Sequence, residues 1–325
     1  MTDPAAIQAV ADARRRLGES LAARVVGQTA TIDALMTALL AGGHVLITGA
    51  PGLAKTRLVR ALAEALGWSF RRIQFTPDLM PTDITGTEIL REDRTSGERR
   101  LAFVPGPVFA NLVLADEINR APPKTQSALL EAMQERTVTS AGESRPLPAP
   151  FVVLATQNPI EQEGTYPLPE AQLDRFLVGV RADYPTRDEE LAVAVLDPRE
   201  PPPLSPVLDL TAFASLAAAV AAVPVPPVAV AYAVDLCRAS RPAAGAGTWI
   251  REHVAWGASP RAAQGLVACA RARVALAGRM AVEPADIRAV AAWVLPHRLV
   301  PSFAAAGAGI DGRAITERLL DQVHP

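Results

Sequence analysis

The sequence predicts an α/β fold: a parallel β-sheet built around a phosphate-binding loop, with helices on both faces, followed by a small all-helical domain. Three observations predict it. Apolar runs of strand length, His44–Thr48, Asn111–Ala115, Phe151–Thr156 and Leu177–Val180, together with the mixed strand pattern Phe70–Phe75, are separated by stretches of helical periodicity. Such alternation implies a parallel sheet buried on both sides. The string GAPGLAKT, Gly49 to Thr56, follows the first run and precedes a helical pattern, giving strand, glycine-rich loop and helix in succession. Beyond Pro201-Pro202-Pro203 the strand signal stops. That proline run marks a linker, so the expected domains are 1–198 and 199–325.

In chain order, residues 3–41 read as helical, with Ala9, Val10, Ala13 and Leu17 on one face and Ile32, Leu35, Met36, Leu39 and Leu40 on another. Between them, Val25-Val26-Gly27-Gln28 is either a plain loop or a segment that folds over an adenine. In the strand Phe70–Phe75, Arg71 is expected to face solvent while Ile73 and Phe75 pack. Prolines punctuate Thr76–Pro81 and exclude a long helix there. Glu88-Ile89-Leu90 and Leu101-Ala102-Phe103-Val104 form the arms of a hairpin turning at Thr95-Ser96-Gly97. Its charged tip is either a solvated loop or a contact surface. Pro122 and Pro123 suit a helix start and the helix runs on to Glu135. A second short hairpin is expected around Gly142, then a short helix from Glu170. Further helices are expected at 209–222, 226–240, 260–278 and 284–295.

Chemistry concentrates at the ends of the predicted strands. Gly49 and Gly52 let the backbone turn and approach a ligand, and the loop N–H groups face a polyphosphate together with the positive end of the new helix. Lys55 supplies a point charge to the β- and γ-phosphates, and Thr56 a hydroxyl to Mg²⁺. Ala54 stands where the GxxxxGK[ST] pattern has glycine, which is acceptable if that residue has helical dihedrals. Asp116 and Glu117 end a buried strand and point in different directions. One suits a metal and its water shell, the other an attacking water. Asn158 either holds that water or the γ-phosphate, or is a turn asparagine before Pro159. Arg261, at a helix start, is either a surface arginine or part of the chemistry.

The formal net charge is −2, so no global field directs the chain to nucleic acid or anionic lipid. Lys55 and Lys124 are the only lysines. Cys237 and Cys269 match no metal spacing and read as reduced core thiols, which favours the cytoplasm. Met1–Val10 lacks the pattern of a signal peptide, and prolines break the apolar stretch Leu216–Leu236, so no membrane insertion is expected.

The strings GAPGLAKT, QFTPDLMPTDITGTEI, FVPGPVF, LADEINRAPPKTQSALLEAMQE, ATQNP and PEAQLDRF, within residues 46–177, resemble the MoxR family of AAA+ ATPases. The C-terminal third is similar chiefly through GASPRAA. The resemblance implies an AAA+ core with a helical lid, an insert over about 80–107 and a hairpin over about 136–148, both facing a central pore. It implies a nucleotide site made by Gly49, Ala50, Pro51, Gly52, Leu53, Ala54, Lys55, Thr56 and Arg57, with Gly27 and Gln28 near adenine. Asp116 is then the metal acid, Glu117 the catalytic acid, Asn158 sensor 1, Arg175 the finger entering a neighbour's site and Arg261 sensor 2. Gln74 corresponds to the polar residue that restrains the catalytic glutamate. The implied cofactors are ATP and Mg²⁺. The implied assembly is a homo-oligomeric ring, expected to be a hexamer, acting on protein clients with a von Willebrand A-domain partner. A nucleic-acid motor and a nucleotide-gated scaffold with little turnover are the alternatives.

Overall fold

The structure, a computed structural model, describes residues 3–50, 53–92, 99–140, 142–158, 164–195, 203–243 and 246–325. Helices α1 (Pro4–Ala22) and α2 (Thr29–Leu40) precede strand β1 (His44–Gly49). Then come α3 (Lys55–Leu66), β2 (Phe70–Gln74), α4 (Pro81–Thr85), β3 (Gly86–Glu92), β4 (Arg99–Pro105) and β5 (Leu112–Asp116). A 3-10 turn (Ile118–Arg120) leads to α5 (Pro123–Glu135), β6 (Thr137–Ser140), β7 (Glu143–Pro146), β8 (Val152–Gln157), α6 (Glu170–Leu173), β9 (Phe176–Ala182) and α7 (Arg187–Ala194). The rest comprises α8 (Leu210–Ala221), α9 (Pro227–Ala239), α10 (Thr248–His253), β10 (Val254–Trp256), α11 (Pro260–Leu276), α12 (Pro284–Val294), a 3-10 turn (Pro296–Arg298), β11 (Val300–Pro301), α13 (Phe303–Gly307) and α14 (Gly312–Gln322).

Five strands form one parallel sheet in the order β2-β5-β8-β1-β9. Its central strands β1, β5 and β8 are buried and mostly apolar because helices cover both faces, while the edge strand β2 carries exposed Arg71, Arg72 and Gln74. The alternation of side chains is visible in the two cores. Leu112, Leu114, Val152 and Leu154 join the core on the α1, α2 and α3 side, while Val113, Ala115, Val153 and Ala155 join the one with α4 and α5. Parallel register places Gln74 opposite Asp116 and Thr48 opposite Gln157, so the carboxyl ends of four strands meet at one edge. Ligands bind outside that edge in open α/β sheets.

Helix α1 is capped by Asp3, which accepts from the Ala5 N–H at 2.9 Å. Its buried face is Ile7, Val10, Ala13, Leu17 and Leu21; Ala9, expected on that face, is exposed. The two predicted hairpins are β3–β4 and β6–β7. The turn at Thr95-Ser96-Gly97 and its neighbours Asp93, Arg94 and Glu98 lie outside the described residues.

The four predicted C-terminal helices are α8, α9, α11 and α12. The expectation of a purely helical lid is corrected in one detail. β10 and β11 pair antiparallel, and strands of three and two residues are too short to show a period in the sequence. Cys237 and Cys269 are buried free thiols, pushed up by burial to about 11 and about 12. Among the described residues no helix is long and apolar enough to cross a membrane.

His44 joins three elements. Its Nδ1 accepts from the Val153 N–H at 3.0 Å, so the proton sits on Nε2, 3.2 Å from the Met133 carbonyl. Burial holds its pKa down at about 4. An unfolded histidine titrates near 6.5, so above that pH both states are neutral and stability is flat. Below it the unfolded chain binds a proton that the folded chain refuses. His44 alone is expected to cost about 2 kcal/mol of stability between pH 7 and pH 5. His297, lowered to about 3 by burial, acts in the same direction. Urea unfolding at the two pH values checks this, and equal midpoints would contradict it.

Candidate nucleotide-binding site

The loop leaves β1 at Gly49, and only glycine fits there. A Cβ on Gly49 would stand 2.7 Å from the Ala182 carbonyl oxygen at the end of β9. Pro51 and Gly52 lie outside the described residues. Ala54 has φ 52° and ψ 20°, in the left-handed region, so the condition of right-handed helical dihedrals under which alanine fits without strain is not met. Helix α3 starts one residue later, at Lys55. The left-handed turn costs a non-glycine residue about 1 kcal/mol. Ala54→Gly is therefore expected to stabilise the fold by up to about that amount and Ala54→Val to destabilise it. Urea unfolding measures both.

Lys55 Nζ donates to the Gly49 carbonyl at 2.7 Å, across the mouth of the loop. Burial lowers its pKa, opposed by the charges of Asp116 and Glu117. Thr56 Oγ1 lies 3.5 Å from Asp116 Oδ2. Asp116 ends β5 and is buried. Its Oδ1 accepts from the Thr156 hydroxyl at 2.6 Å, and its Oδ2 from Arg72 Nε at 3.0 Å and Nη2 at 2.6 Å.

Glu117 sits at φ 57° and ψ 50°, a left-handed turn that sends its side chain away from that of Asp116. The Glu117 N–H donates to Thr156 Oγ1 at 2.8 Å, so one threonine hydroxyl orders both acids. Gln74 Nε2 donates to Glu117 Oε2 at 2.8 Å, and Arg120 Nε stands 3.3 Å from the same oxygen. The register that places Gln74 beside Asp116 also brings it to Glu117.

These groups line one cleft of about 420 Å³, formed by residues 53–57, Arg72, Asp116, Glu117, Thr156 and Asn158. Asn158 is buried just past the end of β8. Gly27 and Gln28 stand beside the loop without lining the cleft. Gln28 Nε2 donates to the Leu53 carbonyl at 2.9 Å, while its Oε1 is buried with no hydrogen-bond partner among the described residues. Gly27 has φ +70°, and a Cβ there would collide with the Glu189 carboxylate.

Two expected site residues are elsewhere. Arg175, between α6 and β9, is partly buried and donates from Nη1 to the Leu130 carbonyl on α5 at 2.7 Å. Arg261 is exposed in the first turn of α11. Neither lines the cleft.

Sequence reasoning missed Arg72 and Thr156. Arg72 carried a readable signal: it lies two positions before Gln74, on the same face of a strand that ends in the site. Thr156 sat in an apolar run, and only the sheet register brings its hydroxyl to the acids.

Fold and cleft together define the AAA+ class of phosphate-loop proteins. The ATPase family associated with various cellular activities (AAA) matches residues 44–178, and the AAA lid domain matches residues 246–319. The chain is 45% identical to Chaperone MoxR1 of Mycobacterium tuberculosis over 300 residues, 92% of this chain and 78% of that one. It is 36% identical to Protein MoxR of Paracoccus denitrificans, covering 85% of each chain. A solved structure from Cytophaga hutchinsonii, whose ATPase activity is itself a provisional assignment, superposes with a TM-score of 0.90 at 38% identity, over 98% of this chain and 96% of that one. The chain belongs to the MoxR family of AAA+ ATPases.

Proposed function

We propose that the protein hydrolyses ATP at sites shared between subunits of a homo-oligomeric ring, expected to be a hexamer, and uses the cycle to remodel or mature protein clients in the cytoplasm. The observation that carries this is the convergence of Lys55, Thr56, Asp116, Glu117 and Asn158 on one cleft at the carboxyl edge of the sheet. In this reading residues 1–198 form the core and 199–325 the lid.

The donor set suits Mg²⁺. Among the described residues no cluster of three or more His, Cys, Asp or Glu makes a protein-only metal cage. A hydroxyl and a single carboxylate are what a magnesium ion uses when substrate phosphates and waters complete its shell. Thr56 and Asp116 would hold it, and it would neutralise charge on the phosphates.

The chain's own groups do the rest. Lys55 exchanges the Gly49 carbonyl for a phosphate oxygen. Glu117 orients the attacking water and takes its proton, and Gln74 fixes the carboxylate's direction. Asn158 holds the water or the γ-phosphate. Arg175, swung from Leu130 towards the neighbouring subunit, stabilises charge in the transition state. Arg261 approaches when the lid moves.

A protein client suits the insert hairpin. Leu90 and Leu101 are directly opposite each other on β3–β4 and are 61% and 66% exposed. The printed name of the Mycobacterium relative, a chaperone, points the same way. A von Willebrand A-domain partner remains part of the proposal through family resemblance. The nucleic-acid alternative is weakened because Arg99 on that hairpin is paired with Glu92 at 3.0 Å. The low-turnover scaffold differs only in rate, which measuring hydrolysis with and without a partner resolves.

Lys55→Ala tests the site. Loss of a charge-assisted contact to phosphate is expected to weaken ATP binding about 10- to 100-fold, read by fluorescent-nucleotide titration. Unchanged binding would refute the assignment.

A further inference from the structure

Asp174, partly buried at the end of α6, and the buried Arg298 of the 3-10 turn after α12 form an ion pair. Arg298 Nε donates to Asp174 Oδ1 at 2.8 Å, and the arginine side chain is 4% exposed. The remaining guanidinium N–H groups are spent on backbone at the start of β9. Nη1 donates to the Leu177 carbonyl at 3.0 Å, and Nη2 to the Phe176 carbonyl at 2.6 Å. The Val294 carbonyl also accepts from Nη1. The neighbouring His297 Nε2 lies 2.9 Å from the same Phe176 carbonyl.

The other oxygen of Asp174 reaches the lid by a second route. Ser259 Oγ donates to Asp174 Oδ2 at 2.9 Å while accepting from the Arg261 N–H at 3.1 Å. One carboxylate therefore touches the cap of α11, whose first turn carries Arg261, and it belongs to the residue before Arg175. The turn 174–177 cannot keep its place if the lid moves independently, because five of its groups are bonded to lid residues.

A buried ion pair contributes little net stability over an apolar replacement, but removing one partner leaves a charge uncompensated. Its geometry is directional, since a guanidinium fork fixes angles as well as distance.

We propose that Asp174 and Arg298 are positioning residues that lock the Arg175 turn to the lid, so that lid movement in one subunit sets whether Arg175 is presented to the next. This rests on the reading above, in which Arg175 completes a neighbour's site.

The test uses full-length Asp174→Asn and Arg298→Lys, with Arg175→Ala as control. The pair is expected to lower kcat about tenfold or more, with KM and fluorescent-nucleotide affinity within about twofold of wild type. Mixing either variant with Glu117→Gln subunits is expected to restore activity. Those subunits bring a correctly held Arg175 to sites that still have Glu117. A merely structural role would move thermal stability without this rescue.

Folded variants with unchanged kcat would overturn the proposal, as would a lowered kcat that mixing does not restore. If either variant does not fold, Ser259→Ala removes one bond to Asp174 and is expected to show the same split, about two- to fivefold in kcat; an unchanged kcat there overturns the proposal. If Arg175→Ala itself hydrolyses ATP normally, the shared-site reading and this proposal fall together. If Arg175→Ala is impaired while Asp174→Asn is not, only the positioning role falls.

Discussion

Glu117→Gln is expected to lower ATP turnover by about 10²- to 10⁴-fold while leaving nucleotide affinity within about twofold. The substitution is nearly isosteric. The left-handed backbone at 117 and the bond from its N–H to Thr156 are independent of the side-chain charge. Gln74 still has an acceptor to hold. What disappears is the group that takes a proton from the attacking water. Lys55 and Thr56 are untouched, so the phosphates keep their contacts. A coupled phosphate-release assay with a fluorescent-nucleotide titration separates the two quantities. Equal losses in both would show that Glu117 supports the loop and not the water.

Arg175→Ala carries the other large effect, about 10³- to 10⁵-fold if the residue acts as a finger in trans. The structure makes the prediction selective. Arg175 holds its own subunit's Leu130 carbonyl and does not line its own cleft. The variant should thus bind ATP normally and lose only turnover. Loss of the Leu130 bond is expected to cost about 1 kcal/mol in urea unfolding, too little to account for such a loss of rate. A variant with normal turnover would assign the finger to another arginine.

The sheet was legible because its central strands β1, β5 and β8 are buried on both faces and read as nearly continuous apolar runs, whereas the edge strand β2 carries Arg71, Arg72 and Gln74. Lys55, Thr56, Asp116 and Glu117 were legible because strand ends converge when strands are parallel. Gln74 was placed through family resemblance, and the register between β2 and β5 supplies its physical reason. The parts that escaped depend on contacts distant in sequence. Arg72 meets Asp116 across a strand pair, and Asp174 meets Arg298 across the lid. The strand alternation places Arg72 on the face of Gln74 but does not name its partner, and the pairing of Asp174 with Arg298 leaves no local pattern. The dihedrals of Ala54 escaped because alanine carries no signal for a left-handed turn. Helices α10 and α13 are six and five residues long, below the length at which periodicity speaks. Helix α14 had a readable signal, with Asp311 capping it and Ile315 and Leu319 on one buried face.

The central claim is that catalysis belongs to the assembly and not to the single chain. The most direct test is ATP turnover per subunit as a function of protein concentration, followed by mixing Glu117→Gln with Arg175→Ala. A shared site predicts turnover that rises with concentration to a plateau, two inactive variants, and partial recovery when they are mixed. Turnover per subunit that is constant at every concentration, with no recovery on mixing, would contradict it.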